Sequence, residues 1–124
     1  MKILLIDDDI DLCQLTKKVL TRYGYDVSAF SDAQAGITHA RQSKPNLILM
    51  DIMLPGLTGP EIVKSLKSDA LLKDVPVVFL TALVTGEEKG LEEEGVAAGG
   101  LTYPALGKPY EIERLLEVVK RCAR

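Results

Sequence analysis

The stretch LLIDDDID, residues 4–11, passes directly from a run of aliphatic side chains to three aspartates in a row. Its apolar part predicts a buried strand over residues 2–6, because a continuous apolar run is typical of a parallel strand covered on both faces. Asp7, Asp8 and Asp9 then mark the carboxyl end of that strand. Carboxylates clustered at the end of a buried strand are the first candidate for a functional site.

Size and charge limit the possible functions. The 124 residues predict one domain with its own core. There are 15 basic against 18 acidic residues and no basic cluster, so direct nucleic-acid binding is not expected.

The longest apolar run, residues 75–84, is too short to span a bilayer. The start MKILLIDDD turns acidic too early for a signal peptide, so we expect a cytoplasmic protein without membrane insertion. Met1 and the absence of a linker after Arg124 favour a stand-alone protein over a domain excised from a larger one.

Strand-like and helix-like segments alternate along the chain. The strands are predicted at residues 2–6, 25–30, 46–50, 76–80 and 101–106, and the second alternates apolar and polar side chains as an edge strand does. Amphipathic helices are predicted at residues 10–23, 32–42, from 58 onward, and 110–122. Strict alternation implies right-handed crossovers and an open, doubly wound α/β three-layer sandwich.

Local signals refine the helices. Asp9 is the expected N-cap of the first helix, Ser31 or Asp32 of the second, and Thr58 of the third, while Gly24 ends the first. A fourth helical segment, residues 85–100, contains five glycines and a glutamate cluster, so we expect a short or mobile element there. Cys13 and Cys122 lie in helical patterns without a CxxC motif, which predicts free, buried thiols.

Polar side chains collect where the predicted strands end. They are Asp7 and Asp8 after the first strand, Asp51 after the third, Thr81 after the fourth and Lys108 after the fifth. Each taken alone has a simpler interpretation as a helix cap, a turn residue or an exposed charge. Ligands of open α/β sheets bind beyond the carboxyl ends of the strands, so the five together favour a functional site at that edge.

Four motifs carry a resemblance to a known family. ILLIDDD, LILMDIMLPGLTG, PVVFLTA and KPYEIERLLEVV follow the order and approximate spacing of the receiver domain of bacterial response regulators, the CheY-like family. The resemblance covers essentially the whole chain, residues 1–124. It implies a flavodoxin-like (βα)5 fold with the parallel strand order 2-1-3-4-5.

The resemblance also implies a role for each site residue. Asp51 would accept a phosphoryl group, Thr81 and Lys108 would contact its oxygens, and Asp7 and Asp8 would hold Mg²⁺. The expected direct metal ligands are Asp8, Asp51 and the Met53 carbonyl, with Asp7 acting mainly through a water. Oxygen ligands of this kind suit Mg²⁺, and three clustered carboxylates without it would repel by about 4 kcal/mol per pair at about 4 Å and an effective dielectric of about 20.

The implied protein is a signalling switch and no enzyme in the usual sense, because it catalyses only its own phosphorylation and dephosphorylation. Its donor would be a sensor histidine kinase or a histidine phosphotransfer protein. Phosphorylation would remodel the surface of the fourth helix, fifth strand and last helix and so control an unidentified output protein. The resemblance further implies a cis peptide bond between Lys108 and Pro109.

This sequence departs from the family pattern before the lysine. The position three residues earlier, where an aromatic switch residue is common, is Ala105, and Tyr103 lies five residues earlier in a segment that is longer than usual. Tyr103 is either a displaced switch residue or a core aromatic, and we favour the core role.

Three other functions deserve comparison. A phosphatase of the haloacid dehalogenase type also uses an Asp nucleophile and Mg²⁺, but it needs a second acid where this chain has Met53. A flavodoxin-like FMN binder needs a hydroxyl-rich phosphate loop, and three aspartates there would repel the phosphate. A non-phosphorylated pseudo-receiver that only binds partners would be expected to lack one of the five site residues, and all five are present.

Met53 and Leu83 lie two residues after Asp51 and Thr81, and neither apolar side chain can orient a water molecule for hydrolysis. We therefore expect slow autodephosphorylation. The double variant Met53→Asn, Leu83→Glu should lose its phosphoryl group at least about tenfold faster, a barrier lower by about 1.4 kcal/mol. The loss is measured after removal of the donor, and equal rates in variant and parent would mean that the two side chains only cover core.

Overall fold

The computed structural model describes residues 1–54, 57–81, 96–98, 101–108 and 110–123. Within them the elements follow in the order β1 (Lys2–Ile6), α1 (Ile10–Arg22), β2 (Asp26–Phe30), α2 (Ala33–Ser43), β3 (Leu47–Asp51), β4 (Met53–Leu54), β5 (Leu57–Thr58), α3 (Gly59–Lys67), β6 (Val77–Thr81), β7 (Val96–Ala98), β8 (Leu101–Tyr103), β9 (Ala105–Gly107) and α4 (Ile112–Cys122).

Five of these strands form one parallel sheet in the order β2-β1-β3-β6-β9. Numbered among themselves along the chain, the five strands follow the predicted order 2-1-3-4-5. The strand β2 lies at one edge, as its alternating pattern predicts. The fully apolar strands β1, β3 and β6 occupy the centre, where both faces of the sheet are covered.

Helices cover both faces of this sheet. Because successive side chains of a strand point to opposite faces, Leu4 and Ile6 of β1 enter one core cluster while Ile3 and Leu5 enter the other. The first cluster contains buried residues of α2 and α3, and the second contains buried residues of α1 and α4. The predicted three-layer sandwich is therefore confirmed.

Three of the predicted helix signals act as expected, and the capping role of Thr58 stays a prediction. The Asp9 carboxylate accepts a hydrogen bond from the Leu12 N–H at 3.1 Å, and the Asp32 carboxylate accepts one from the Ala35 N–H at 2.9 Å. Gly24 follows α1 with a φ of 92°, a left-handed conformation that favours glycine. Both cysteines are free, as predicted, and Cys13 is buried; the predicted burial of Cys122 is wrong, because its side chain is partly exposed. Among the described residues no helix combines the length and the apolar character needed to cross a membrane.

The predicted fifth strand, residues 101–106, is wrong as a single element. Only Ala105–Gly107 joins the parallel sheet, whereas Leu101–Tyr103 pairs antiparallel with Val96–Ala98. Pro104 separates the two parts, and a proline has no N–H to donate to a strand ladder. Its carbonyl instead accepts a hydrogen bond from the Phe79 N–H at 2.9 Å.

Within residues 85–100, where a short or mobile element was expected in the fourth helical segment, the structure describes Val96–Ala98, and these residues form a short strand and not a helix. Residues 82–95, 99 and 100 lie outside the described residues. The strand β7 contacts α3 and β8 contacts β6, so this hairpin adjoins the α3 face of the sheet. A second short hairpin, β4 with β5, was not predicted.

The packing of α2 on β1 leaves no room at Gly36. A Cβ added there would lie 2.6 Å from Ile6 Cδ1 and 2.8 Å from Ile6 Cγ1. For Gly36→Ala we expect an overpacking cost of about 1–3 kcal/mol, which outweighs the gain of about 1 kcal/mol in helix propensity. Urea unfolding measures the net loss.

The control Gln34→Ala, an exposed position of α2, should change the free energy of unfolding by less than about 0.5 kcal/mol. Ile6→Val removes the nearer atom, so it should destabilise the Gly36→Ala variant less than it destabilises the parent. Equal effects of Ile6→Val in both backgrounds would contradict the close contact.

Candidate functional site

Four strand ends bring the predicted site residues together. Asp51 and Thr81 are the last residues of β3 and β6, one residue further into the sheet than predicted, because Asp51 still pairs with Leu80 and Thr81 with Gly107. Asp7 directly follows β1, and its N–H donates to the Phe30 carbonyl at 3.0 Å. The sheet therefore places all three at its carboxyl edge.

Burial separates the two aspartates that follow β1. Asp7 is 0% exposed, comparable to Asp51 at 7% and Thr81 at 3%, whereas Asp8 is exposed. A buried carboxylate needs a compensating charge or hydrogen bond, because the loss of water disfavours its ionised form. The sequence alone does not separate Asp7 from Asp8 in this way.

Lys108 supplies the compensating charge. Its Nζ lies 2.6 Å from Asp7 Oδ2 and 2.9 Å from Asp51 Oδ2, and its side chain is 14% exposed. Its backbone N–H donates to the Thr81 carbonyl at 2.8 Å, which ties the segment after β9 to the end of β6. The lysine expected to contact a phosphoryl group thus bridges two carboxylates, and this partly relieves the repulsion predicted for the cluster.

The pKa values of two site residues reflect this burial. Burial raises the pKa of Asp7, and the neighbouring Asp51 charge adds to this, while Lys108 and the Asp9 N–H act in the opposite direction. Burial by itself would lower the pKa of Lys108, but its contacts with Asp7 and Asp51 outweigh that effect and the pKa is raised overall. Lys108 therefore keeps its positive charge at neutral pH.

A metal ion fits the same group of carboxylates. Asp7, Asp8 and Asp51 each offer one oxygen, and these oxygens lie within 4.8 Å of one another. Hard oxygen donors in this number suit Mg²⁺. Asp7 Oδ1 already accepts the Asp9 N–H at 2.9 Å and Asp7 Oδ2 contacts Lys108, whereas Asp8 is exposed. The division into direct and indirect metal ligands stays a prediction.

Three further residues adjoin the site and were not predicted as part of it. The Cys13 thiol donates to the Asp7 carbonyl, with 3.2 Å between Sγ and O, and burial raises the pKa of this thiol to about 11. The Thr16 hydroxyl and the Tyr110 phenol share a hydrogen bond of 2.6 Å. In the sequence, the only signal for this pair is a hydroxyl on the inner face of the first helix and an aromatic two residues after the lysine.

Tyr103 lies in the core, as favoured above. It is 7% exposed, and its ring meets Phe79 edge to face with 6.0 Å between the ring centroids. Ala105 is fully buried and pairs with Phe79 across the sheet. Met53 lies in β4, and its role as a carbonyl ligand stays a prediction. Leu83 and Pro109, with the expected cis peptide bond, lie outside the described residues.

This arrangement of sheet, carboxylates, threonine and lysine defines a receiver-type site, and sequence comparison agrees. The family model for the response regulator receiver domain matches residues 3–120. The chain therefore belongs to the response regulator receiver domain family. It is 36% identical over 123 residues to the DNA-binding dual master transcriptional regulator RpaA of Synechocystis, covering 99% of this chain and 49% of that protein.

Other relatives and solved structures support the same membership. The alkaline phosphatase synthesis transcriptional regulatory protein PhoP of Bacillus subtilis is 35% identical over 120 residues, 97% of this chain and 48% of that protein. The chain thus spans about half the length of these relatives. The chemotaxis protein CheY4 of Vibrio cholerae superposes with a TM-score of 0.80 at 27% identity, covering 98% of this chain and 97% of that one.

Removing the bridging ammonium should weaken the fold. Lys108→Met leaves two carboxylates at the buried edge without their shared counter-charge, so we expect the metal-free protein to lose about 3–5 kcal/mol of unfolding free energy. Urea unfolding in EDTA measures the loss. The control Lys120→Met changes an exposed lysine and should stay within about 0.5 kcal/mol of the parent.

A second substitution tests the cause. Asp51→Asn in the Lys108→Met background removes one of the two repelling charges and should restore part of the lost stability. If Lys108→Met unfolds like the parent, or Asp51→Asn weakens it further, the ion pairs do not stabilise this edge.

Proposed function

We propose that the chain accepts a phosphoryl group on Asp51 in a Mg²⁺-dependent reaction and thereby controls an output partner. The observation that supports this best is the surrounding of Asp51. Its carboxylate ends a central strand, lies 2.9 Å from the Lys108 ammonium, and shares a group of oxygens within 4.8 Å with Asp7 and Asp8. Family membership supports the same function.

The proposed reaction moves a phosphoryl group onto a carboxylate oxygen of Asp51. A lone pair of that oxygen forms the new P–O bond while the bond from phosphorus to the donor breaks and its electrons leave with the donor. For a phosphohistidine donor, the leaving imidazole nitrogen then takes a proton from solvent. The product is an acyl phosphate, and the protein contributes positioning and charge neutralisation.

Two side chains would act on the incoming phosphoryl oxygens. Lys108 already carries its charge beside the Asp51 carboxylate and would move from carboxylate to phosphoryl oxygen as negative charge accumulates there. The Thr81 hydroxyl, at the end of the neighbouring strand β6, would donate a hydrogen bond to another oxygen. The Thr81 carbonyl also accepts the Lys108 N–H, so a shift of either residue would displace the other.

The carboxylates would hold the metal. Asp8 and Asp51, with the Met53 carbonyl, would bind Mg²⁺ directly, and the buried Asp7 would act mainly through a water. When bound, Mg²⁺ neutralises negative charge on the carboxylates and on the transferred group.

The donor and the output follow from the family. We infer that a sensor histidine kinase or a histidine phosphotransfer protein supplies the phosphoryl group. The relatives described above are named as transcriptional regulators, one of them as DNA-binding, and those activities belong to proteins about twice as long as this chain. We therefore propose only that the output is another protein, which recognises the surface of this chain around β9 and α4.

Phosphorylation should require Asp51 and Mg²⁺ together. We expect acetyl phosphate with Mg²⁺ to add one phosphoryl group to the intact protein, observed by mass spectrometry. Asp51→Asn or EDTA should abolish the addition, whereas Asp11→Asn, a matched change at an exposed aspartate of α1, should leave it unchanged. Equal labelling of the Asp51→Asn variant would overturn the assignment. Continuous release of phosphate from the donor, at a rate far above the rate at which the labelled protein loses its phosphoryl group, would instead favour a phosphatase.

Mg²⁺ should also stabilise the fold, because it binds the native carboxylate group and relieves its remaining repulsion. At a hundredfold excess over Kd the gain is about 2.7 kcal/mol. Asp8→Ala should remove most of this gain and raise the stability of the metal-free protein, whereas Asp11→Ala should do neither. Melting curves with Mg²⁺ and with EDTA measure both effects, and an Asp8→Ala variant that responds to Mg²⁺ like the parent would exclude Asp8 as a ligand.

A further inference from the structure

We propose that the hydrogen bond between Thr16 and Tyr110 is a positioning device for Lys108. Tyr110 and Thr16 would then be positioning residues that set where the Lys108 ammonium lies relative to Asp51. The inference rests on the proposed function for its kinetic consequence, but its structural consequence can be measured without phosphorylation.

The bond joins two parts of the chain that are 94 residues apart. The two hydroxyl oxygens are 2.6 Å apart, a short distance for an O–H···O bond, and one hydroxyl donates while the other accepts. Thr16 is 2% exposed and lies on the face of α1 that enters the core with Cys13 and Leu20. Tyr110 packs against the same core cluster. This part-buried hydroxyl pair links α1 to the segment that carries Tyr110.

Tyr110 follows Lys108 by only two residues, so the bond anchors the segment that carries the lysine. On its other side Lys108 is anchored by its N–H to the Thr81 carbonyl at 2.8 Å. After Tyr110 the chain enters α4, whose N-cap residue Glu111 makes no side-chain capping bond. The Tyr110 phenol therefore provides the side-chain anchor between Lys108 and the start of α4 among the described residues.

The helix α1 connects this anchor to the opposite side of the site. One turn before Thr16, the Cys13 thiol donates to the Asp7 carbonyl at 3.2 Å. The same face of α1 thus contacts the strand end that carries Asp7 and the segment that carries Lys108. The helix α1 therefore contacts both of the segments whose side chains meet in the 2.6 Å contact between Lys108 Nζ and Asp7 Oδ2.

Small displacements of Lys108 matter for the proposed chemistry. Phosphoryl transfer depends on positioning and charge neutralisation, and a displacement of about 1 Å can cost up to about a hundredfold in rate. A long lysine side chain has many rotamers, so fixing its backbone on both sides reduces the number of positions that the ammonium can take. Loss of one anchor should therefore slow the reaction without removing any group that touches the phosphoryl oxygens.

The experiment uses Tyr110→Phe, Thr16→Val and the double variant in the full chain. Each single variant leaves one hydroxyl without its partner, and the buried Thr16 hydroxyl is the more costly of the two. The double variant replaces both by apolar groups of similar shape, so its stability should return close to that of the parent. If the bond only satisfies two hydroxyls in the core, the rate of phosphorylation returns with the stability.

For a positioning role, the double variant should be stable and still take up the phosphoryl group from acetyl phosphate about tenfold more slowly than the parent. Tyr23→Phe and Thr38→Val are the matched controls, since Tyr23 is exposed and the Thr38 hydroxyl bonds within its own helix to the Gln34 carbonyl. Both controls should keep the parent rate. A double variant with the parent stability and the parent rate overturns the proposal.

A second readout is independent of phosphorylation. The Nζ–H protons of Lys108, held between two carboxylates, should exchange slowly enough with water to give a ¹⁵N-correlated NMR signal, which the Lys108→Met variant identifies by its loss. The signal should weaken or disappear in the double variant and persist in both controls. An unchanged signal in the double variant overturns the proposal even if the rate has fallen. A different result would refute only the proposed function: the parent does not accept a phosphoryl group, but the Lys108 signal is still present in the parent and lost in the double variant. The positioning role would then stand.

Discussion

The contact of the Lys108 ammonium with Asp7 and Asp51 is the interaction on which the edge of this protein depends. It joins the ends of β1 and β3 to the residue that follows β9, and these strands are separated in the chain by tens of residues. Two carboxylates at a buried edge would oppose folding if they faced each other without a cation. The lysine makes their proximity energetically tolerable, because its ammonium lies 2.6 Å from Asp7 Oδ2 and 2.9 Å from Asp51 Oδ2.

The two cores serve this arrangement in different ways. The cluster formed with α1 and α4 includes Cys13, which contacts the Asp7 carbonyl, and Tyr110, the partner of Thr16, packs against it. The cluster formed with α2 and α3 contains Phe79, which belongs to the strand that ends in Thr81, and Tyr103, whose ring contacts Phe79. The carboxyl edge of the sheet is therefore supported by packed side chains on both faces. A displacement of Thr81 or Lys108 would therefore contact different packed side chains on the two faces of the sheet.

The segment before Lys108 is where this chain differs most from the pattern expected for its family. A hairpin of β7 and β8 occupies part of the region where a helix was expected, and Tyr103 reaches the core from that hairpin rather than from the fifth sheet strand. Its phenol oxygen is buried and has no hydrogen-bond partner among the residues that the structure describes. Ala105, at the position where an aromatic residue is common, is fully buried in the strand that joins the sheet.

The amino-acid sequence by itself determined the class of fold, the bounds of the five sheet strands to within one residue except for the last strand, and the edge of the sheet at which the candidate site residues lie. These features depend on local periodicity, on cap residues such as Asp9 and Asp32, and on polar residues directly after apolar runs, all of which can be read without distances. Only the tertiary structure decided that Asp7 is buried while Asp8 is exposed, that Lys108 bridges Asp7 and Asp51, and that Thr16 meets Tyr110. The physical reason is that these features depend on contacts between segments far apart in the chain, and periodicity carries no information about which distant side chains meet. The division of residues 101–106 at Pro104 belongs partly to each group. Proline is a local signal that can be read from the sequence, but the tertiary structure decides which strand pairs with the residues on each side of it.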